Sequence, residues 1–265
     1  MKQEGTLEKM QTLKINPVQY FLKLDNEGIP MNEFIGRNIS LRFTGNIYCT
    51  ICNKKTYKSF GEGLCYNCFA NAPENAECIL RPELCLAHEG KGRNMEWEIA
   101  HHVKPHFVYL ALVDQVKVGV TRETQIPTRW IDQGANQAII LAETPYRQLA
   151  GLIEVKLKAH FTDKTNWIRM LRNEFDSSID LAAVKESVRE LVGEEYEQYI
   201  SPNNEIINIE YPVLNYTEKI KSIGFDKLPE IERKLIGIRG QYLIFESGEV
   251  INVRKHSGYQ IVLQA

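Results

Sequence analysis

The feature that most constrains this chain is CTICNKKTYKSFGEGLCYNC, in which two residues separate Cys49 from Cys52, twelve follow, and two separate Cys65 from Cys68. Two intervening residues let a tight turn aim both thiolates at one ion. A hairpin of about a dozen residues brings two such turns together as a tetrahedral Zn²⁺ shell. The Gly61-Glu62-Gly63 run supplies the backbone freedom the second turn needs. A thioredoxin-like redox pair would explain one CxxC and leave the other without a role. The spacing therefore predicts a zinc-ribbon-like module with Cys49, Cys52, Cys65 and Cys68 as ligands.

All six cysteines lie between residues 49 and 85, and the remaining two, Cys78 and Cys85, are followed by His88, His101 and His102. Two thiolates and two imidazoles make a second Zn²⁺ set: Cys78, Cys85, His88 and one of the adjacent histidines, His102 in the first instance. The spacing matches no standard template, and a buried pair of free thiols beside surface histidines is the alternative.

Composition excludes rather than selects. No run of 18 apolar residues occurs, and the opening MKQEGTLEKMQTLKIN lacks the apolar stretch of a signal peptide, so the expectation is a cytoplasmic protein with no membrane partner. Disulfides are disfavoured in that compartment, which strengthens the metal reading. A net charge of −2 gives no whole-protein field for a polyanion. The charge is segregated, however. From Lys104 to Arg172 there are 10 basic and 6 acidic residues, a balance of +4, mildly suggestive of a phosphate-facing surface. From Glu174 to Glu210 the balance reverses, as on a solvated acidic helix.

Period-two alternation places strands in residues 1–48, at LKIN, VQYFLKL and ISLRFTGNIYC, with a turn at residues 25–28. A β meander from Lys234 is broken at Arg239-Gly240, Ser247-Gly248 and Ser257-Gly258. Small sheets are marginal alone, so the two chain ends are candidates to close one β-domain together. Between them, strands at 107–113, 116–121 and QAIILAE alternate with helices. The first starts at Pro127 and stops at Gly134; the second starts at Thr144-Pro145, with Thr144 as cap; a third runs from Asp180 to Ile200. The expected organisation is α+β: a β-rich segment over 1–48, a zinc-binding module over 49–104, an α/β domain over 105–204 and a meander over 205–265.

That α/β domain presents a tyrosine, cations and a carboxylate from separate elements. Phosphodiester cleavage needs a divalent ion on a carboxylate, a cation for the charge on phosphorus, and a group that positions water. Phe107-Val108-Tyr109, then Lys117-Val118-Gly119 and Thr121, then Arg129 and Glu154, resemble the GIY-YIG nuclease superfamily over residues 106–172. The resemblance implies that Tyr109 helps activate water, Arg129 contacts the scissile phosphate, and Glu154 holds one Mg²⁺ or Mn²⁺. Lys117 stands where that superfamily has its second tyrosine, where it would bind phosphate as a point charge, and Arg129 lies two residues further from the glycine. Each residue also has a plain alternative: Tyr109 as core, Arg129 beside Trp130 or paired with Asp132, Glu154 paired with Lys158 four residues on.

Over nearly its full length the chain also resembles a bacterial family of unknown function in which cysteines usually stand at the positions of Gly92 and His102. His102 can replace a thiolate and Gly92 cannot, so that resemblance implies His88 or His101 as the missing ligand. Arg122, Trp130, Asp132 and Gln133 complete a candidate substrate surface, the indole by base stacking, although the same residues could equally lock the short helix to the sheet. The resulting expectation is a zinc-containing protein that processes DNA or RNA, a divalent-metal-dependent nuclease in form. The alternatives are a non-catalytic nucleic-acid or ribonucleoprotein-binding module on the same scaffold, and an enzyme acting on a small phosphorylated ligand.

Overall fold

The computed structural model describes residues 1–25, 27–161 and 165–265. The turn expected at 25–28 includes Asn26, which lies outside the described residues. The chain folds as two compact units, one made of residues 1–70 with 209–265 and the other of residues 71–208. The stretch read as one cysteine module, 49–104, is thus divided between them, the first four cysteines in one unit and the last two in the other.

In the first unit both chain ends do enter one sheet. Across it the strands run Lys2–Thr6, Tyr259–Gln264, Asn38–Tyr48, Glu230–Arg239, Tyr242–Phe245, Glu249–Asn252 and Lys221–Ile223, with Lys55–Thr56 paired to the end of Asn38–Tyr48. The terminal strands are antiparallel, with Lys2 opposite Gln264. The strands of this sheet bury apolar residues such as Ile39, Leu41, Ile231, Ile261 and Leu263 at alternate positions, as a sheet with one packed face requires. The meander breaks where its glycines predicted: Gly240, Gly248 and Gly258 all have positive φ. A second sheet of Gln11–Leu13, Gln19–Leu24 and Glu27–Pro30 completes the unit.

The second unit is built on an antiparallel sheet in the order Ile207–Asn208, Gln137–Thr144, His106–Leu112, Val116–Arg122. Its central strand is buried throughout. One face carries Val108, Leu110, Val118, Ile139 and Leu141, packed against Ala150, Ile153 and Leu157 of the helix Arg147–Lys158 and against Leu181, Val188 and Val192 of the helix Leu181–Val192. Alternation sends Phe107, Tyr109 and Ala111 to the other face, with Lys117, Gly119 and Thr121 opposite them.

Two helix boundaries differ from expectation. Thr144 does not cap the second helix. Its hydroxyl donates to the carbonyls of His106 (3.0 Å) and Tyr146 (3.1 Å), tying the strand end down, and the helix begins at Arg147. The third helix starts at the Asp180 cap, whose carboxylate accepts from Ala182 N–H, but it ends at Val192. Gly193, with φ of 90°, breaks it, and Glu194–Tyr199 continues as a 3₁₀ segment.

Candidate functional site

The four ribbon cysteines sit at two turns. Cys49 follows the long strand Asn38–Tyr48, and Asn53 N–H closes the first turn on the Cys49 carbonyl at 2.9 Å. The second turn leads into the helix Tyr66–Asn71, with Cys68 N–H directed at Cys65 Sγ at 3.5 Å. All four sulfurs lie within 4.8 Å of one another. Cys52 and Cys65 Sγ are 3.8 Å apart. A tetrahedron with Zn–S bonds of ~2.3 Å has edges of about 3.8 Å, whereas a disulfide needs ~2.0 Å; every cysteine is a free thiol. Gly63 makes the approach possible, because a Cβ there would meet Thr50 Cγ2 at 2.6 Å and the Ser257 carbonyl oxygen at 2.7 Å. Burial opposes charge on Cys49, but the amides of Cys52, Cys65 and Ile51 pull its thiol down to about 6. Burial and the three neighbouring sulfurs push Cys68 up to about 12. The set is a thiolate cage whose charge one divalent cation would offset in part.

The second cluster consists of Cys78, Cys85, Glu98 and His102, all buried and again within 4.8 Å of one another. His102 Nδ1 lies 3.5 Å from Cys85 Sγ, 4.0 Å from Cys78 Sγ and 3.4 Å from Glu98 Oε2. Sulfur–nitrogen and nitrogen–oxygen edges of a Zn²⁺ tetrahedron are about 3.6 Å and 3.3 Å from the usual bond lengths, so the donors are already spaced for a metal. Asn94 caps the helix Met95–His102 through Trp97 N–H, and the four-residue spacing puts Glu98 and His102 on one face. A hydrogen bond from Cys78 and the nearby His102 pull Cys85 down to about 4, against burial, while Cys85 pushes Cys78 upward.

Neither His88 nor His101 joins this cluster. The His88 ring stacks on Tyr146 at 4.3 Å, and His101 stacks on Trp97 at 4.0 Å with its Nδ1–H donating to the Trp97 carbonyl at 2.6 Å. The fourth donor is Glu98, and it stands where residue 92 would carry its side chain: a Cβ on Gly92 would lie 2.3 Å from Glu98 Oε1. Arg147, at the start of the long helix, fastens the cluster by donating to the carbonyls of Cys78 (3.0 Å) and Ile79 (2.9 Å).

The hairpin residues also converge in part. Tyr109 lies opposite Gly119, and its hydroxyl would be 2.6 Å from a Cβ on that glycine. The hydroxyl donates to Gln133 Oε1 at 2.9 Å, and Arg129 and Glu154 both act on the phenol electrostatically. Lys117 shares this face, one like-facing pair further on, opposite Ala111. All three of these side chains are dry: Tyr109 is 1%, Lys117 4% and Glu154 8% exposed. Burial raises the Tyr109 phenol above its ordinary range, against Arg129 and Gln133. Burial also raises Glu154, although Lys158 Nζ pairs with it at 3.1 Å. Trp130 is buried and meets Tyr109 edge-on at 6.0 Å, so its face is not open to a base. Asp132 ends the short helix Thr128–Asp132, half-buried. Arg122 lies opposite His106 on the alternate face of the hairpin and is not brought to Tyr109.

The chain belongs to the protein family of unknown function DUF2797. The family model matches residues 36–261, a span that takes in both thiolate clusters and the Tyr109 hairpin. No curated protein and no solved structure matches the chain. Within this family member, Glu98 is the donor that spacing from the cysteines missed. Its signal is the i, i+4 relation to His102 behind an Asn94 cap, visible only once MEWEIAHH is taken as a helix.

Proposed function

We propose that this protein is a nucleic-acid-binding module stapled by two zinc ions, in which a GIY-YIG-like scaffold keeps the Tyr109 constellation but does not cleave. The observation that carries the reading is the state of Glu154. A carboxylate that is 8% exposed, raised by burial and paired with Lys158 is poorly placed to hold a hydrated Mg²⁺ or Mn²⁺, which keeps several waters when bound. Lys117, buried on the tyrosine's face, supports the same conclusion, since a cation replaces the second phenol. The zinc ions would hold the two cysteine clusters in shape, a role that closed four-donor sites serve.

A second reading is supported by the surroundings of Tyr109. Arg129 and Gln133 bond its hydroxyl and Glu154 acts on it electrostatically, groups that a metal-dependent nuclease of that superfamily would also use. One experiment separates the two. The purified chain with Mg²⁺ or Mn²⁺ is offered labelled single-stranded, duplex, branched and tRNA-like substrates beside Glu154→Ala. Salt-sensitive binding without cleavage, unchanged in the variant, is the expected result. Cleavage that the variant loses would establish the nuclease, and binding to none of them would direct attention to a small phosphorylated ligand.

A further inference from the structure

The ribbon carries a surface that no metal role explains. Tyr57 is fully exposed and Tyr66 is 68% exposed, with Phe69 and Ile51 also open to solvent. Phe60 gathers two of these side chains and a lysine into one array: its ring meets Tyr66 at 5.5 Å and Phe69 at 5.8 Å, and Lys58 Nζ lies 5.3 Å above it. Burying large apolar side chains is a main source of folding stability, so an array of solvent-facing aromatics forgoes much of what folding normally gains.

Charge selects the partner. Between residues 45 and 70 the only charged side chains are Lys54, Lys55, Lys58 and Glu62, and Glu62 is bound to Arg254 at 2.6 Å. None of the three lysines forms an ion pair among the described residues, and all three are exposed. Lysines interleaved with open aromatic rings suit a chain of phosphates whose bases are free to stack. Four thiolates around Zn²⁺ carry a net −2, however, so charge alone would hold a polyanion weakly. Ring faces must supply most of the affinity, which a duplex with its bases paired and stacked inside cannot use.

We infer that the zinc ribbon, through the Phe60, Tyr66, Phe69 and Lys58 array and the exposed Tyr57, Lys54 and Lys55 of the stretch that leads into it, binds single-stranded nucleic acid by base stacking. This surface is independent of the Tyr109 constellation and stands or falls separately from it. The test uses the full zinc-loaded chain, with fluorescence anisotropy on a labelled thymidylate oligomer of about 20 nucleotides and on its duplex. The single strand binds more tightly. Tyr57→Ala and Tyr66→Ala each weaken it by roughly 5- to 150-fold, the loss of one stacked base. Three phosphate contacts give a slope of log affinity against log salt of about −2. Zinc content and circular dichroism confirm that the variants fold; Tyr57, touching solvent alone, keeps the test sound should Tyr66→Ala disturb the second cysteine turn. Equal or tighter duplex binding, or single-strand binding indifferent to Tyr57→Ala, would overturn the inference. So would the absence of single-strand binding in a chain whose self-association Tyr57→Ala abolishes, since the array would then be a protein interface. Binding lost in Arg129→Ala but kept in Tyr57→Ala would move the site to the other unit.

Discussion

Gly151→Ala is a substitution for which two physical effects disagree in sign. Gly151 lies inside the helix Arg147–Lys158, where alanine is favoured over glycine by about 1 kcal/mol from propensity alone. Tertiary contact argues the other way. A Cβ at this position would meet Glu83 N at 2.2 Å, Pro82 C at 2.5 Å and Glu83 Cα at 2.9 Å, all backbone atoms of the segment between Cys78 and Cys85. Backbone cannot rotate aside as a side-chain tip does, and overpacking of this kind costs about 1–3 kcal/mol or more. The contact is the larger effect, so the variant should be less stable, by up to about 2 kcal/mol after the propensity gain is subtracted. It should also release the second zinc more readily, because residues 82–84 hold Cys78 and Cys85 in register. Urea denaturation of both chains, with a chelator competition that follows the two zinc ions separately, measures each effect. A variant about 1 kcal/mol more stable than the parent, with unchanged zinc retention, would show that the helix does not press on the cysteine segment and would refute the reasoning.

Other outcomes follow from the same geometry. Elemental analysis should find two zinc ions per chain; Cys65→Ser should lower the content by one, and Glu98→Ala should weaken the second site while His88→Ala leaves it loaded. A folded, metal-free chain would contradict both centres. His106 is fully buried, donates Nδ1–H to the Lys104 carbonyl at 2.8 Å, and is held by burial down to about 3 from an ordinary 6.5. It is neutral in the fold and takes a proton when unfolded, so the stability it lends is complete above about pH 6.5 and is lost as pH falls towards 3. The loss should reach about 2 kcal/mol by pH 5, and the pH dependence of unfolding should flatten in His106→Asn by comparison with the parent. Lys185 is buried with its ammonium donating to the carbonyls of Ser201 and Asn203, each at 2.7 Å. Lys185→Met, leaving both acceptors unmatched, should cost about 2–4 kcal/mol in denaturation midpoint terms, and a neutral result would mean that water reaches those carbonyls.

The Cys49, Cys52, Cys65 and Cys68 set was legible because its information is local. Each pair is joined by two residues, and the geometry of a turn follows from those residues whatever surrounds them. The glycines that punctuate the terminal meander, and the strand positions around Tyr109, were legible for the same reason: φ preference and side-chain alternation act over a few residues. The helix boundaries at Thr144 and Gly193 were not, since Thr144 had to choose between capping a helix and bonding the carbonyl of a strand 38 residues earlier.

What the chain carries in its own order, then, is a set of local devices: two cysteine turns, alternating strands, the glycine opposite Tyr109. Folding in space decided which of them meet. It recruited Glu98 into the second cluster in place of His88, because donors to a metal are selected by distance and not by position along the chain. It also closed the Tyr109 constellation away from water. Burial depends on what packs above a side chain, and no spacing of residues states it.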